Sequence, residues 1–449
     1  MAFEDGFPWP CRPIGEMLET NIDYRGKTPP KSPTGIPTLT AGNVKNGKID
    51  MTKVSFVSEE TYKRWTTRGF PEPGDVLISL EAPVGEVASF PGDQTYLITR
   101  RIIALRGKKD ELDNDFLKYS LLCPFNRDRL LTLSRGTTVE RILKTDLTDF
   151  KIPAPSIKEQ RAIASILGAL DDKIELNRRM NATLESLARA IFKSWFVDFD
   201  PVQMKAERRS QQAEEKSSFS LPPSTLKLCP STFQDSELGD IPDGWSVQSL
   251  AEMSELLSGG TPKKSIDHYW NGDLPWISPK AMMTLHAFDS NDHVTEEAVG
   301  NGTRLVPKGT VLVMVRGMGL HQGVRISQAR RDVTFNQDVK SLVPTTVHGD
   351  FLLFAMLDAG PYLFGKVQAS GHGTGVIPTD ILQSLRFAAP PEDILEKLTP
   401  SLTNINDRIH ANTMESLTLS ALRDTLLPRL LSGELPVPAA LTATEGALS

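Results

Sequence analysis

Two short loops combine glycine, small hydroxyl residues and a cation: SRGTT at 134–138 and SGHGT at 370–374. Hydroxyls, open backbone amides and a nearby positive charge are the partners a phosphate oxygen takes. Other basic loop residues accompany them. Arg25, Lys27, Lys31, Arg100 and Arg101 fall in the first third of the chain, and Lys263, Lys264, Arg330 and Arg331 fall in the second half, with Gln337 close by. Arg and Gln are the side chains able to make paired hydrogen bonds to guanine and adenine edges. Each residue alone reads as a solvated surface charge. Their meaning depends on what positions them.

Signatures of catalysis are missing from the sequence. There is no GxxxxGK[ST] phosphate loop, no GxSxG nucleophile turn and no HExxH zinc site. Six of the seven His lie between 268 and 372, at spacings that fit no metal motif. The Gly-rich pieces SGGT (258–261), RGMG (316–319) and SGHGTG (370–375) follow no dinucleotide fingerprint and read as loops. Cys11, Cys123 and Cys229 are far apart and read as reduced structural thiols. The N-terminal stretch has no basic-then-apolar leader pattern, and no apolar run approaches the roughly eighteen residues of a membrane span. A cytoplasmic protein without membrane contact is the expectation.

The positioning elements are two long helices. Residues 156–195 carry no Pro and only one Gly, and they open with Ser156 and Glu159 in capping-box spacing. Ile163, Leu167, Leu170, Ile174, Asn177, Asn181, Leu184, Ala188, Ile191 and Trp195 step by four and three, the a and d positions of a heptad seam. Such a helix of about 40 residues is roughly 60 Å long. A shift of 235 residues gives Leu398, Leu402, Ile405, Ile409, Asn412, Ser416, Leu419, Arg423, Leu426 and Leu430, with Asn177 falling on Asn412. Buried seam Asn costs stability and fixes register, so Asn177 and Asn412 are expected to set helix register. Arg423 interrupts the second seam. Pro400 is expected to start or kink that helix, and Pro428 to kink or break its end.

Shifts near 235 relate the flanking segments too. PWPCRPIGEM (8–17) resembles GWSVQSLAEM (244–253), PGDVLIS (73–79) resembles KGTVLVM (308–314), and LKTDL (143–147) resembles IPTDI (377–381). In the first copy, strands are expected at 36–39, 54–57, 75–80 and 95–105 and a helix near 115–122. The chain therefore reads as a tandem duplication: a globular domain at 1–155, a long helix at 156–200, a polar Ser-, Gln- and Pro-rich linker at 201–240, a second globular domain at 241–390, a second long helix at 391–435 and a disordered tail at 436–449. The net charge of −6 argues only weakly against nucleic acid, because the acid is partly in the tail. Lys plus Arg against Asp plus Glu is 22 against 21 over 1–155, and 4 against 8 over 391–449.

IPAPSIKEQRAIASIL, DDKIELNRRMN and AIFKSWFVDFDPV resemble the central conserved region of the DNA-specificity subunits of type I restriction–modification systems. DSELGDIPDGW (235–245), LSGGTPKK, YWNGDLPWISPKAM and LLPRLLSGEL (426–435) resemble further segments of that family in order. The resemblance implies an α+β fold: two tandemly duplicated mixed α/β target-recognition domains, separated by two long antiparallel coiled-coil helices. It implies that each domain reads one half of a bipartite double-stranded DNA site. The helices would fix the unread gap and dock two methyltransferase (modification) subunits, which restriction/translocase subunits would join. It implies no active site and no cofactor on this chain, with S-adenosylmethionine, ATP and magnesium on the partners. Arg135, Thr137, Thr138, His372 and Thr374 are expected to face DNA. Two other readings stand beside it: a coiled-coil assembly scaffold without DNA specificity, and a DNA methyltransferase in its own right. The second would need an NPPY/DPPY-type loop, and the chain has none.

Overall fold

Strand Val76–Ser79 is buried along its whole length, so both of its faces need cover. Val76 and Ile78 point into one core and Leu77 into another. Beside them on the neighbouring strand, Ile103 and Leu105 join the first core and Ile102 and Ala104 the second, the period of two that a strand imposes. The computed structural model describes residues 8–24, 28–136, 140–209, 226–369 and 373–448. These fall in two units, Met1–Asn177 with Met414–Ser449, and Arg178–Thr413, so that each unit takes one half of each long helix.

In the first unit the central sheet is antiparallel, ordered Leu18–Asp23, Ile102–Gly107, Val76–Ser79, Val87–Ser89. One face carries Asn114–Leu122, with its buried Phe116, Leu117 and Tyr119, and the long-helix residues Ile163, Leu167, Leu170, Leu426 and Leu430. The other face meets a small sheet of Ser55–Val57, Ile36–Leu39 and Leu97–Ile98. The expected run at 95–105 is broken by the turn at Thr99–Arg101, where the amide of Ile102 donates to Thr99 O at 3.0 Å.

The second unit repeats this plan. Its sheet is ordered Ser254–Ser258, Val339–Pro344, Val311–Met314, Ile326–Ala329, His286–Ala287. Val311 and Val313 face the helix-side core and Leu312 faces the other. Gly349–Asp358 stands where Asn114–Leu122 stands in the first unit. Met17 and Met253, matched by the repeat, are both fully buried.

The first long helix spans Ile157–Phe196 and opens on the expected capping box: Ser156 N donates to Glu159 Oε2 at 3.1 Å and Glu159 N to Ser156 Oγ at 3.4 Å. The second spans Glu392–Leu431 without interruption. Pro400 neither starts it nor ends it, and Pro428 does not break it. The carbonyls these prolines leave without a donor belong to Glu396 and Asp424, both exposed, where water can satisfy them. Gly433, with φ +75, supplies the left-handed residue just beyond the helix end. Within the first unit the helices run antiparallel, Asp171 meeting Arg423 and Asn177 meeting Glu415.

Two expectations for the connecting segments change. The segment expected as linker at 201–240 is ordered where it is described: Asp200–Arg209 is helical, Val202 and Cys229 are buried, and Phe233–Gln234 pairs with Ile241–Pro242. The tail expected to be disordered forms helix Val437–Leu448, with Ala440 fully buried. Pro436 and Pro438 stand at its first turn, where a missing amide costs nothing, and Leu435 and Val437 pack on the core.

Candidate nucleic-acid interface

In the first unit, the hairpin after Val76–Ser79 is held by its own Ser: Glu86 N donates to Ser79 Oγ at 2.9 Å and Gly85 N to Ser79 O at 2.9 Å. Its rim is stitched to two other loops. Leu80 N donates to Arg101 O at 2.8 Å, and Ile142 N donates to Leu80 O at 2.9 Å. Glu81 forms a β-bridge with Arg141, and Arg141 forms one with Arg135. The structure therefore gathers Arg101 and Arg135, expected from sequence, around Glu81 and Arg141, which were not. Arg101 Nε lies 3.1 Å from Glu81 Oε2, and Arg135 Nη2 lies 3.0 Å from Asp146 Oδ2. Arg100 is exposed beside them. Lys31 is exposed at the small sheet, one residue before Ser32 bonds to Phe56. Arg25, Lys27, Thr137 and Thr138 lie outside the described residues.

The matching place in the second unit joins the two Gly-rich pieces that the sequence showed separately. Arg316–Gly317 pairs with Gly375–Val376, and His321 Nε2 donates to Gly373 O at 3.0 Å. Thr374 is half-buried in this loop, and His372 lies outside the described residues. SGGT packs closely against the loop that carries Gln337. A Cβ on Gly259 would stand 2.2 Å from Asn336 O, so glycine is required there. Thr261 Oγ1 then donates to Gln337 Oε1 at 2.6 Å, which brings Lys263 and Lys264, both exposed on the same segment, into the neighbourhood of Gln337. Arg331 is exposed at the opposite end of strand Val333–Phe335 and does not join them.

The backbone makes the two rims equivalent. Val315 N donates to Asp338 O at 2.8 Å, and Ile377 N donates to Val315 O at 2.8 Å, as Leu80 does to Arg101 and Ile142 to Leu80. By this match Arg316 occupies the place of Glu81, Asp338 that of Arg101, and Gln337 that of Arg100. One frame thus carries reversed charges in its two copies.

Arg330 departs from the expectation of a DNA-facing residue. Its side chain is only 6% exposed and is ion-paired to Asp407 on the second long helix, with Nη1 3.1 Å from Gln328 Oε1. It belongs to a buried polar network that keys this helix to its own unit's sheet. Asn406 donates to Gln328 Oε1 at 2.8 Å and to Asp350 Oδ1 at 2.7 Å, and Thr403 Oγ1 donates to Asp350 Oδ2 at 2.6 Å. Since the Asn406 amide nitrogen is used in this way, its Oδ1 accepts from His286 Nε2–H at 2.7 Å. Burial pushes the His286 imidazole down to about 4, beyond what the Asn406 bond restores. Burial opposes ionisation of Asp350, but the bonds from His348, Thr403, Gln328 and Asn406 outweigh it and hold the carboxyl below the usual carboxylate range. Periodicity did not reveal this network, because Asn406 sits one residue off the heptad seam. The seam Asn are buried as expected: Asn177 Nδ2 donates to Glu415 Oε2 at 2.7 Å in the first unit, and Asn412 Nδ2 to Asn181 Oδ1 at 2.9 Å in the second.

Among the described residues, no group of three or more His, Cys, Asp or Glu could hold a metal ion, and no helix is long and apolar enough to cross a membrane. The rims offer cations, amides and hydroxyls, a surface for polyanion and base-edge contacts.

A family model described as "Type I restriction modification DNA specificity domain" matches residues 8–186 and 242–419. The chain is 26% identical over 403 residues to the type I restriction enzyme HindI specificity subunit of Haemophilus influenzae, covering 81% of this chain and 86% of that one. It is 24% identical over 385 residues to the MjaIX specificity subunit of Methanocaldococcus jannaschii, covering 85% and 82%. The crystal structure of a type I restriction–modification S subunit from M. genitalium aligns over 96% of this chain and 98% of that chain with TM-score 0.58 and 15% identity, a likeness of fold.

Proposed function

We propose that this chain, which belongs to the type I restriction–modification DNA specificity family, directs its complex to one bipartite DNA sequence, each globular unit reading one half-site. The single observation that carries this reading is the duplicated rim with reversed charge. A shared backbone frame supplies the same docking geometry twice. Different contact residues on it, Glu81 with Arg100 and Arg101 against Arg316 with Gln337 and Asp338, are what two unlike half-sites require. An assembly scaffold without DNA specificity has no use for that difference.

The contacts follow from the rims. Arg135 and Arg141 in the first unit, and Lys263, Lys264 and Arg316 in the second, meet phosphates and set the register. Arg100, Arg101, Gln337 and Thr374 reach base edges. The long helices act as spacer and as docking surface for two methyltransferase subunits, and restriction/translocase subunits join that core. The chain is the non-catalytic member of its complex. S-adenosylmethionine, ATP and magnesium act on the partner subunits, and the complex works in the cytoplasm.

Selection of duplexes from a random library by the chain assembled with its modification subunits tests the reading. The expected result is one split motif with an unread centre. Its affinity should fall with salt in proportion to the phosphates neutralised, about 0.9 in log–log slope for each. Retention of duplexes with no shared sequence contradicts it.

A further inference from the structure

The reversed pair at the rim also sets what one Arg can present. Arg101 sits in the turn Thr99–Arg101, held by the bonds of Ile102 N to Thr99 O and of Leu80 N to its own carbonyl. Its guanidinium is ion-paired to the Glu81 carboxylate: the closest approach is Nε to Oε2, at 3.1 Å. Glu81 is fixed in turn, since its backbone bridges Arg141. The paired N–H groups of the two terminal nitrogens lie on a different edge of the guanidinium from Nε–H. That planar fork matches two acceptors side by side. In the major groove only guanine offers such a pair, O6 and N7.

We propose that Arg101, positioned by Glu81, is a specificity-determining residue that reads a guanine in the half-site of the first unit. The proposal rests on the reading of the chain as a DNA-specificity subunit and deepens it by naming the base. Glu81 is a positioning residue: it touches no base and restricts where the fork points. The second unit has no such fork at the equivalent place, because Asp338 stands there and Arg316 replaces Glu81. The guanine contact is thus confined to one half-site.

The test uses the chain assembled with its modification subunits and duplexes carrying its motif. Each guanine is replaced in turn by 7-deazaguanine, which lacks the N7 acceptor. At one guanine of one half-site, affinity should fall by roughly 5- to 150-fold, the equivalent of about 1–3 kcal/mol for a paired contact. Arg101→Ala should make that position tolerant of every base and insensitive to the analogue, with the other half-site unchanged. Arg101→Lys should keep binding and lose the preference in part. Glu81→Ala should relax the same position and Glu81→Asp restore it, an effect that a role in stability alone does not produce. Both side chains are partly exposed, at 43% and 31%, and neither belongs to the core, so the core survives these changes. A native complex indifferent to the analogue at every guanine overturns the proposal. So does an Arg101→Ala complex that binds all sequences uniformly more weakly with a lower salt slope, the mark of a phosphate contact. Failure to select any split motif with the native chain overturns instead the reading on which the proposal rests.

Discussion

Arg423 Nη1 lies 2.7 Å from Asp171 Oδ1, while the Tyr119 hydroxyl donates to the other oxygen of that carboxylate at 2.8 Å. Arg423 breaks the apolar seam of the second long helix, and this contact is the reason it can. The charge is matched across the seam and the carboxylate is tied to the recognition domain of the same unit. Position 171 corresponds to Asn406 in the repeat, which anchors the second unit's helix by a different set of bonds. Each unit thus ties its long helix to its own recognition domain at the same place with unrelated chemistry.

Arg423→Leu should therefore destabilise the first unit by about 1–3 kcal/mol, since it leaves a largely buried carboxylate with one partner. Adding Asp171→Leu should recover part of the loss. Chemical denaturation of the four chains of the double-mutant cycle measures this, and strictly additive losses would deny the coupling.

The seam Asn should behave oppositely. Replacing Asn177 and Asn412 by Leu removes two buried amides and should raise the melting temperature, while loosening the register that those amides fix. A scanning melt and the spacing between half-sites read the two effects separately. No change in either would show that the Asn are passive.

The second unit should lose stability in mild acid. The His286 imidazole titrates near 4 when folded and near the ordinary 6.5 when unfolded. Its contribution is complete above about 6.5 and is lost as pH falls toward 4, at most about 3 kcal/mol. His410, also lowered by burial, acts in the same sense. Asp350, held below the usual carboxylate range, adds its loss only at lower pH. His348, raised by its bond to Asp350, acts oppositely and weakly because its side chain is half exposed. Melting at pH 7 and pH 5 should differ clearly in the native chain and little in His286→Gln.

Gly259→Ala should push the SGGT segment off the Gln337 loop, because its Cβ would meet backbone oxygens at 2.2 and 2.4 Å. Overpacking of this kind costs about 1–3 kcal/mol. Recognition of the second half-site should fail before that of the first. Equal loss at both would place the segment outside the interface.

Much of this was legible in residue spacing. Heptads, a capping box and a repeat of 235 residues gave both long helices and the duplication, because those signals are local and periodic. Pro400 does not start the second helix and Pro428 does not break it, since a proline breaks a helix only where its neighbours cannot compensate, and here the stranded carbonyls belong to exposed residues. The tail misled because its order comes from packing Ala440 and Val437 on a core distant in sequence. Arg330 was indistinguishable from Arg331 by type and context, and only the fold turns one inward to Asp407. Arg141 and Glu81 were missed for the same reason: their significance lies in β-bridges between loops some 60 residues apart.

The most direct measurement of the central claim is a genome-wide map of methylated bases in cells expressing this chain with its modification subunits, compared with cells lacking the chain. A single split motif is expected, present only with the chain, in which Arg101→Ala relaxes one half and leaves the other intact. Methylation that is the same with and without the chain, or that follows no motif, would contradict it.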